Sequence, residues 1–211
     1  MCPKGLRGSG IALRTATCGA GEMKARLHHF DLIAPLYDRL MIPAFAERLQ
    51  SLLKLPANGR MLDAGGGTGR VSSCLSALVN QLVICDLSLP MLMRAHTKNG
   101  LLSVNARAER MPFGDATFDR ILVVDALHHF EDPAGVVGEL MRLLKPGGRM
   151  VVEEPDIRRK VVKLVALAEK LALMGSRFHP AEDIARMVEA AGGKTRIERD
   201  RRFAAWVVVD G

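Results

Sequence analysis

The sequence predicts one doubly wound α/β domain, in which helices cover both faces of a mostly parallel sheet. Two observations predict this fold. Apolar runs of strand length alternate with helical stretches between residues 60 and 154, and each run is apolar at successive positions. A strand that is apolar on both faces lies in a sheet buried on both sides, and helices between such strands are the crossovers of parallel pairs.

Each predicted strand rests on its apolar run, and each predicted helix on apolar residues three and four positions apart. The strand runs are RMLDA (60–64), QLVICD (81–86), LLSVNA (101–106), FDRILVVD (118–125) and RMVVEE (149–154). The helical stretches are VSSCLSALVN (71–80), PMLMRAHTKN (90–99) and PAGVVGELMRLL (133–144).

The two ends of the chain depart from this alternation. After helical stretches at 158–174 and 180–192, the runs KTRIER (194–199) and FAAWVVVD (203–210) predict an antiparallel pair. They follow one another too closely for a crossover, which needs about a dozen residues. The predicted sheet therefore has seven strands and an antiparallel C-terminal strand. We expect residues 1–22 to be a flexible tail and residues 23–211 a single domain that begins with two short helices.

The composition narrows the class of protein. The chain has 211 residues, a formal net charge of +7 and four cysteines without C-x-x-C spacing, so we expect neither disulfides nor a metal site. The basic residues form no long block, which argues against a nucleic-acid partner. No apolar run reaches the roughly 18–20 residues of a membrane span. We therefore expect a cytoplasmic protein, with peripheral membrane contact left open.

Residues 62–70 read LDAGGGTGR, a glycine-rich loop between the first predicted strand and the first predicted helix. This position is the carboxyl edge of the sheet, where open α/β sheets bind ligands. The dinucleotide fingerprint G-x-G-x-x-G is half met, because Gly65 and Gly67 fit but Arg70 takes the third position. A Walker loop is excluded, since no G-K-[ST] follows.

Two acids indicate what the loop binds. Asp63 stands at the mouth of the loop, where a carboxylate would repel pyrophosphate and attract a cationic amine. Asp86 ends the second strand, at the spacing where an acid accepts hydrogen bonds from a ribose diol. An adenosyl group with an amino-acid tail and no phosphate satisfies both acids. This predicts S-adenosylmethionine as the cofactor, while a nicotinamide-dependent oxidoreductase remains the alternative on the same sheet.

Four ordered motifs carry a resemblance to a known family. They are LDAGGGTGR, ICDLS followed by PMLMRA, AERMPFGDATFDRILVVDALHHFEDP, and RLLKPGGRMVVEEP. With these motifs, the chain from about Phe30 to its end resembles the class I S-adenosylmethionine-dependent methyltransferases, closest to the group that includes the menaquinone and ubiquinone biosynthesis methyltransferases. The resemblance implies a Rossmann-like fold and transfer of a methyl group from S-adenosylmethionine.

The resemblance also implies a set of binding residues. Asp63 would hold the methionyl amine, Gly65 and Gly67 would leave room for the tail and the ribose, and Asp86 would accept from the ribose hydroxyls. Tyr37 would form part of a lid. The complete predicted cofactor site is Tyr37, Asp63, Ala64, Gly65, Gly66, Gly67, Asp86, Leu87, Met91, Ala108, Glu109 and Val124.

Two positions raise separate questions. Arg107 stands where the family often has an acid that would bond the adenine amino group. His128 is the predicted catalytic residue, as a base or positioning group for the acceptor. Adjacent residues of an extended chain point to opposite sides, so His128 and His129 are not expected to share a metal ion.

The acceptor is not written in these motifs. The N-terminal helices and residues 156–180, which are rich in apolar side chains, are expected to recognise a small hydrophobic molecule, with a quinone-like ring favoured by the resemblance. The same apolar stretch could cover the sheet or form a dimer contact, so a monomer and a homodimer both remain open. A non-catalytic module that binds the cofactor fits the motifs as well.

Overall fold

A computed structural model of the chain describes residues 46–156, 158, 177–199 and 204–211. Seven strands form one sheet, and their bounds are β1 Ala57–Ala64, β2 Val79–Asp86, β3 Leu101–Asn105, β4 Phe118–Val124, β5 Leu144–Pro155, β6 Lys194–Arg199 and β7 Ala204–Asp210. Their spatial order is β3-β2-β1-β4-β5-β7-β6. The described helices are α1 Ala46–Leu53, α2 Arg70–Leu75, α3 Leu89–His96, α4 Pro133–Leu143 and α5 Ala181–Ala190.

The pairing of the strands confirms the predicted fold class. Strands β1 to β5 are parallel, whereas β7 is antiparallel to both of its neighbours, β5 and β6. From β1 the chain moves outward through β2 to β3 and then returns to the other side of β1 as β4. This reversal leaves a crevice at the carboxyl ends of β1 and β4, and open α/β sheets bind their ligands in such crevices.

Successive residues of the central strands feed two hydrophobic cores, one on each face of the sheet. Leu62 and Val83 pack in the core that includes residues of α4 and α5. Met61 and Leu82 pack in the other core, which includes residues of α1, α2 and α3. This alternation explains the continuous apolar runs of the sequence, because both faces of each strand are covered.

The first crossover differs from its prediction. The apolar pattern predicts a helix over 71–80, but α2 ends at Leu75 and a short 3₁₀ turn spans Ser76–Leu78. Val79 already pairs with Ala57 in the ladder between β1 and β2, so strand pairing prevails over helical spacing at these residues. The predicted tail at 1–22, the helix at 30–41 and, apart from residue 158, the helix at 158–174 lie outside the described residues.

Two arginines near the amino-terminal edge of the sheet anchor the end of α1. Arg149 Nη1 donates to the carbonyl oxygen of Leu52 (3.1 Å), and Arg120 Nε donates to that of Leu53 (2.7 Å). The last carbonyls of a helix have no intrahelical donors, and positive charge is favourable at that end. Arg149 is buried and also pairs with Asp210 through Nη2 (2.5 Å). These bonds fix α1 against β4 and β5.

We expect Arg149→Met to lower the free energy of unfolding by roughly 2–3 kcal/mol, because the buried Leu52 carbonyl would lose its donor. The matched control is Arg196→Met, since Arg196 contacts the same Asp210 (3.5 Å) from a more exposed position. That variant should stay within about 0.5 kcal/mol of the unmodified chain. Urea unfolding with unchanged slopes provides the measurement, and equal losses in the two variants would contradict this account of α1.

Candidate functional site

The glycine loop passes from the end of β1 to the start of α2. Gly65 N donates to the carbonyl oxygen of Cys85 (2.8 Å), which ties the loop to β2. Gly65 and Gly67 have φ values of 75° and 53°, a region that glycine adopts without strain. A Cβ added to Gly65 would lie 2.7 Å from Ala126 Cβ, and one added to Gly67 would lie 3.2 Å from Met91 Sδ. The loop is therefore closely packed between the start of α3 and the segment after β4.

Asp63 lies beneath this loop. Its side chain is buried, Ser72 Oγ donates to Oδ2 (2.6 Å), and Oδ1 has no hydrogen-bond partner among the described residues. A Cβ added to Gly66 would lie 2.5 Å from Oδ2, so the bare backbone of Gly66 is needed to cover the carboxylate. Burial raises the pKa of Asp63 to about 6, the Ser72 hydroxyl opposes this rise, and the charge of Asp86 adds to it.

Asp86 joins the loop to the next helix. Its Oδ2 accepts from Gly67 N (2.9 Å) and its Oδ1 accepts from Ser88 N (2.8 Å). Ser88 caps α3, with its Oγ accepting from Met91 N (3.4 Å). A carboxylate offers about four acceptor positions, so it can accept from a ligand's hydroxyl groups as well as from backbone nitrogens. The structure thus brings Asp63 and Asp86 to opposite sides of the glycine loop.

The predicted adenine side lies next to Asp86. Leu87 is 39% exposed, whereas Met91 and Ala108 are buried. Glu109, in the loop after β3, accepts from Arg107 Nη2 (3.3 Å), and the same nitrogen donates to Glu131 (3.0 Å). Arg107 therefore links the loop after β3 to the loop after β4, in place of the acid that the family often carries.

The segment after β4 forms the other wall of the crevice. His128 Nδ1 lies 2.5 Å from Glu154 Oε2, at the end of β5, and both side chains are buried. The Phe178 ring stacks on His128, with ring centroids 4.4 Å apart and planes inclined by 13°. Arg177 N donates to the His128 carbonyl oxygen (2.8 Å). The residues before α5 thus close over the predicted catalytic histidine.

The prediction that the side chains of His128 and His129 point to opposite sides is wrong. It assumed an extended chain, but the two residues lie in a 3₁₀ turn, Leu127–His129, and their ring centroids are 3.9 Å apart. Burial, reinforced by His128, lowers the pKa of His129 to about 3. His129 is therefore neutral at physiological pH. Among the described residues, no group of three histidine, cysteine or acidic side chains is arranged to hold a metal ion.

Three other predicted residues have different surroundings. Ala64 is buried in the core on one face of the sheet, so only its backbone borders the loop. Val124 is half-buried and packs against the opposite core. Tyr37 lies outside the described residues. The lid assigned to Tyr37 therefore remains a prediction.

Several residues of the site were not anticipated. Gly69 precedes α2 as its N-cap with φ 68°, and a Cβ there would lie 2.6 Å from Ile84 Cδ1. The others are the Asp63 partner Ser72 and the acid Glu154. A signal existed for Glu154, because it ends an apolar strand run, as Asp63 and Asp86 do. The serine follows the loop without such a signal.

The sequence of this chain is similar to those of several known proteins. Residues 62–152 match the family described as the methyltransferase domain. The chain is 31% identical over 165 residues to the ubiquinone/menaquinone biosynthesis C-methyltransferase UbiE of Shewanella halifaxensis, which covers 63% of this chain and 65% of that relative. It is 38% identical over 107 residues to the enzyme of the same name from Proteus mirabilis, covering 46% of this chain and 43% of that one. The chain spans less than two thirds of either relative.

The chain is similar to the methyltransferase domain family and to class I S-adenosylmethionine-dependent methyltransferases. The fold agrees: a solved Thermotoga maritima structure, described as an S-adenosylmethionine-dependent methyltransferase and possible histamine N-methyltransferase, matches with a TM-score of 0.73. That match has 21% identity and covers 88% of this chain and 99% of the other. These similarities support the family predicted from the sequence and S-adenosylmethionine as its cofactor.

The described residues of the chain fit that cofactor. Asp63 has a buried oxygen without a hydrogen-bond partner among the described residues, and a nearby ammonium group would compensate its charge. Asp86 lies on the other side of the loop, and a carboxylate is a suitable acceptor for a diol. Because Asp63 lies behind the loop, its attraction acts across the glycine backbone at short range, and its direct contact with the methionyl amine stays a prediction. None of the described helices is long and apolar enough to cross a membrane.

We expect Asp63→Asn to stabilise the ligand-free protein at neutral pH. The folded-state pKa of about 6 lies above the ordinary 3.8, so the folded state binds the proton more tightly than the unfolded state. The resulting destabilisation is absent below about pH 4 and complete above about pH 6, where it amounts to roughly 2–3 kcal/mol.

Urea unfolding at about pH 4 and about pH 7.5 measures this difference. The free energy of unfolding of the unmodified chain should fall between these two pH values by more than that of Asp63→Asn. Asp115→Asn is the control, because Asp115 is exposed and lies outside the loop. A parallel pH dependence in the Asp63→Asn variant would show that burial of this carboxylate costs little.

Proposed function

We propose that this chain transfers a methyl group from S-adenosylmethionine to a small, hydrophobic acceptor with a quinone-like ring. The observation that carries the proposal is the pair of carboxylates, Asp63 and Asp86, on either side of a glycine loop at adjacent strand ends. The pair suits a ligand with a cationic amine at one end and a diol at the other, and the similarity to the methyltransferase domain family agrees with it.

The proposed cofactor site assigns one part of the ligand to each part of the crevice. The amino-acid tail lies over the loop above Asp63. The ribose hydroxyls donate to Asp86, and the adenine packs against Leu87 and Met91. The adenine amino group then meets backbone groups near Ala108 and Glu109, because Arg107 is engaged with two carboxylates. Tyr37 closes over the ligand in this proposal.

Methyl transfer from a sulfonium is a direct displacement. When bound, the cofactor supplies the methyl group and a neutral thioether leaving group. The protein contributes mainly by holding donor and acceptor in line and dry, and effective molarities of oriented reactants correspond to about 7–11 kcal/mol. The closely packed loop and the buried strand ends are suited to this role, because they hold the binding groups on rigid elements.

The acceptor class rests on two kinds of support. The relatives from Shewanella halifaxensis and Proteus mirabilis are named as C-methyltransferases of ubiquinone and menaquinone biosynthesis. The crevice beside β4 also carries aromatic side chains: Phe178 stacks on His128, and Phe130 approaches Gly65. Aromatic and apolar walls favour a flat, hydrophobic ring over a strongly polar acceptor.

Isothermal titration with S-adenosylmethionine and S-adenosylhomocysteine tests the cofactor site. Asp86→Asn should weaken both ligands about 10–100-fold, since hydrogen bonds to a charged group contribute about 1.5–3 kcal/mol. Asp119→Asn is the matched control: Asp119 also accepts from a backbone nitrogen, that of Arg60 (2.8 Å), but it lies at the opposite edge of the sheet. Undiminished binding by Asp86→Asn would contradict the site.

Affinity for S-adenosylmethionine should also fall as the pH drops below about 6, the raised pKa of Asp63, because protonation removes the charge that attracts the ammonium group. The same fall should be absent from Asp63→Asn, whose affinity is low at every pH. Titrations between about pH 5 and pH 8 measure the effect. An affinity of the unmodified chain that does not change over this range would exclude Asp63 from the binding of the tail.

Labelled methyl transfer to reduced 1,4-naphthoquinone (1,4-dihydroxynaphthalene) tests the reaction itself. Transfer that requires Asp86 supports the proposal. Tight binding of S-adenosylmethionine without transfer to this or related aromatic acceptors would indicate a binding module. Thermal protection by NAD, with none from S-adenosylmethionine, would indicate an oxidoreductase.

A further inference from the structure

Three titratable side chains that the cofactor site does not use meet at the carboxyl ends of β4 and β5. His128 lies between two carboxylates: Nδ1 is 2.5 Å from Glu154 Oε2, and Nε2 is 3.9 Å from Asp125 Oδ1. The segment that holds them adjoins the glycine loop, because a Cβ added to Gly65 would lie 2.7 Å from Ala126 Cβ. The array therefore stands where a methyl acceptor would meet the donor.

Glu154 sets the protonation of the histidine. Its Oε1 accepts from Ala126 N (3.1 Å) and Leu127 N (2.6 Å), and its Oε2 faces His128 Nδ1. An ionised carboxylate only accepts hydrogen bonds, so Nδ1 must carry a proton and the neutral ring must present the lone pair of Nε2. That lone pair is on the side of Asp125.

Asp125 is the member of the array that reaches the crevice. Its side chain is 24% exposed, compared with 2% for His128 and 3% for Glu154. Its backbone has φ 51°, an uncommon conformation for a residue other than glycine, and its nitrogen donates to the carbonyl oxygen of Glu153 (3.0 Å). Strained conformations of this kind cluster at functional sites. The ring of His128, in contrast, is covered by Phe178, His129 and Glu154.

We propose that Asp125 accepts the proton of the methyl acceptor, and that His128, held by Glu154, is the positioning group that receives this proton from it. The inference rests on the proposed function and differs from the sequence-based assignment, in which His128 itself faces the acceptor. Asp125 becomes the catalytic residue, and His128 and Glu154 act through it.

The proton and the electrons balance in this step. An O–H or acidic C–H bond of the acceptor breaks, and its electron pair forms the bond to the methyl carbon. The carbon–sulfur bond breaks at the same time, and its electrons stay on sulfur as a neutral thioether. The proton passes to Asp125 and then to Nε2, which leaves an imidazolium between two carboxylates. The 3.9 Å gap must shorten for this, as catalytic hydrogen bonds commonly do when substrate binds.

The surroundings of His128 favour a transient positive charge. Among the residues that the structure describes, the titratable groups shown to face it are Asp125, Glu154 and His129. The first two are acids, and the lowered pKa of His129 keeps that ring neutral, so the adjacent imidazole does not oppose the charge. The ring of Phe178 covers one face and limits the access of water. His128 is therefore built to hold a proton that arrives from Asp125.

The Glu154→Gln variant tests whether Glu154 sets the protonation of His128 or only supports the fold. The amide oxygen can still accept from Ala126 and Leu127, so we expect the fold to persist. The amide nitrogen would then replace the oxygen that faces Nδ1 and would donate to it. The histidine proton should consequently move to Nε2. Histidine ¹⁵N NMR on the full chain should show the Nδ1–H form in the unmodified protein and the Nε2–H form in the variant.

Single-turnover methyl transfer to 1,4-dihydroxynaphthalene tests the proton step. Asp125→Asn should lower the rate about 10²–10⁴-fold, the usual contribution of a general base, while the Kd for S-adenosylmethionine stays the same. Glu154→Gln should lower the rate about tenfold or more and displace the acidic limb of the pH–rate profile, because its Nε2 no longer accepts. Asp115→Asn is the control for a lost carboxylate.

The other possible results also test the proton step and the role of Glu154. A full rate in Asp125→Asn would overturn the proton step, and an Nε2–H histidine in the unmodified chain would overturn the role of Glu154. If the chain binds S-adenosylmethionine but transfers no methyl group to the dihydroxynaphthalene or related acceptors, the proposed function fails and the proton step fails with it. The histidine spectrum still decides the Glu154–His128 assignment in that case.

Discussion

The site depends on how this fold buries carboxylates at the ends of apolar strands. An ionised carboxylate removed from water is costly unless it is hydrogen-bonded or paired. Glu154 meets this requirement inside the protein, through two backbone nitrogens and His128. Asp63 does not, since one hydroxyl bonds one of its oxygens and its pKa is raised to about 6. The charge of Glu154 therefore supports the structure, whereas that of Asp63 is compensated when a cationic ligand is present.

The parallel sheet is what brings these acids to one crevice. Strands β4 and β5 are in register, with Val124 opposite Glu153, so the next residues, Asp125 and Glu154, lie side by side. The backbone nitrogen of Asp125 bonds the Glu153 carbonyl oxygen, which extends the ladder by one step and turns the chain. A side chain at the end of one strand can then accept hydrogen bonds from backbone nitrogens in the segment that follows the neighbouring strand. Parallel strands supply such positions at one edge only.

Most of the fold could be predicted from the sequence, because alternating apolar runs and helices allow few arrangements. The error over 71–80 arose where an apolar spacing suits both a helix and a strand, and pairing with β1 decided between them. In the site, Asp63 and Asp86 were found because an acid at the end of a buried strand is exceptional. Glu154 obeys the same rule, but its role depends on its contact with His128, 26 positions away in the sequence, which no local pattern contains.

The distribution of charge explains why the net charge of the chain is a poor guide to its ligand. The formal net charge is +7, which by itself would favour anionic partners. Yet Arg120 and Arg149 lie in the amino-terminal part of their strands and hold the end of α1, while the carboxyl ends carry acids, including Asp63 and Asp86. The two signs are thus separated along the strand direction. A sulfonium ligand with an ammonium group meets a locally negative crevice, and a pyrophosphate would meet repulsion there even though the protein as a whole is basic.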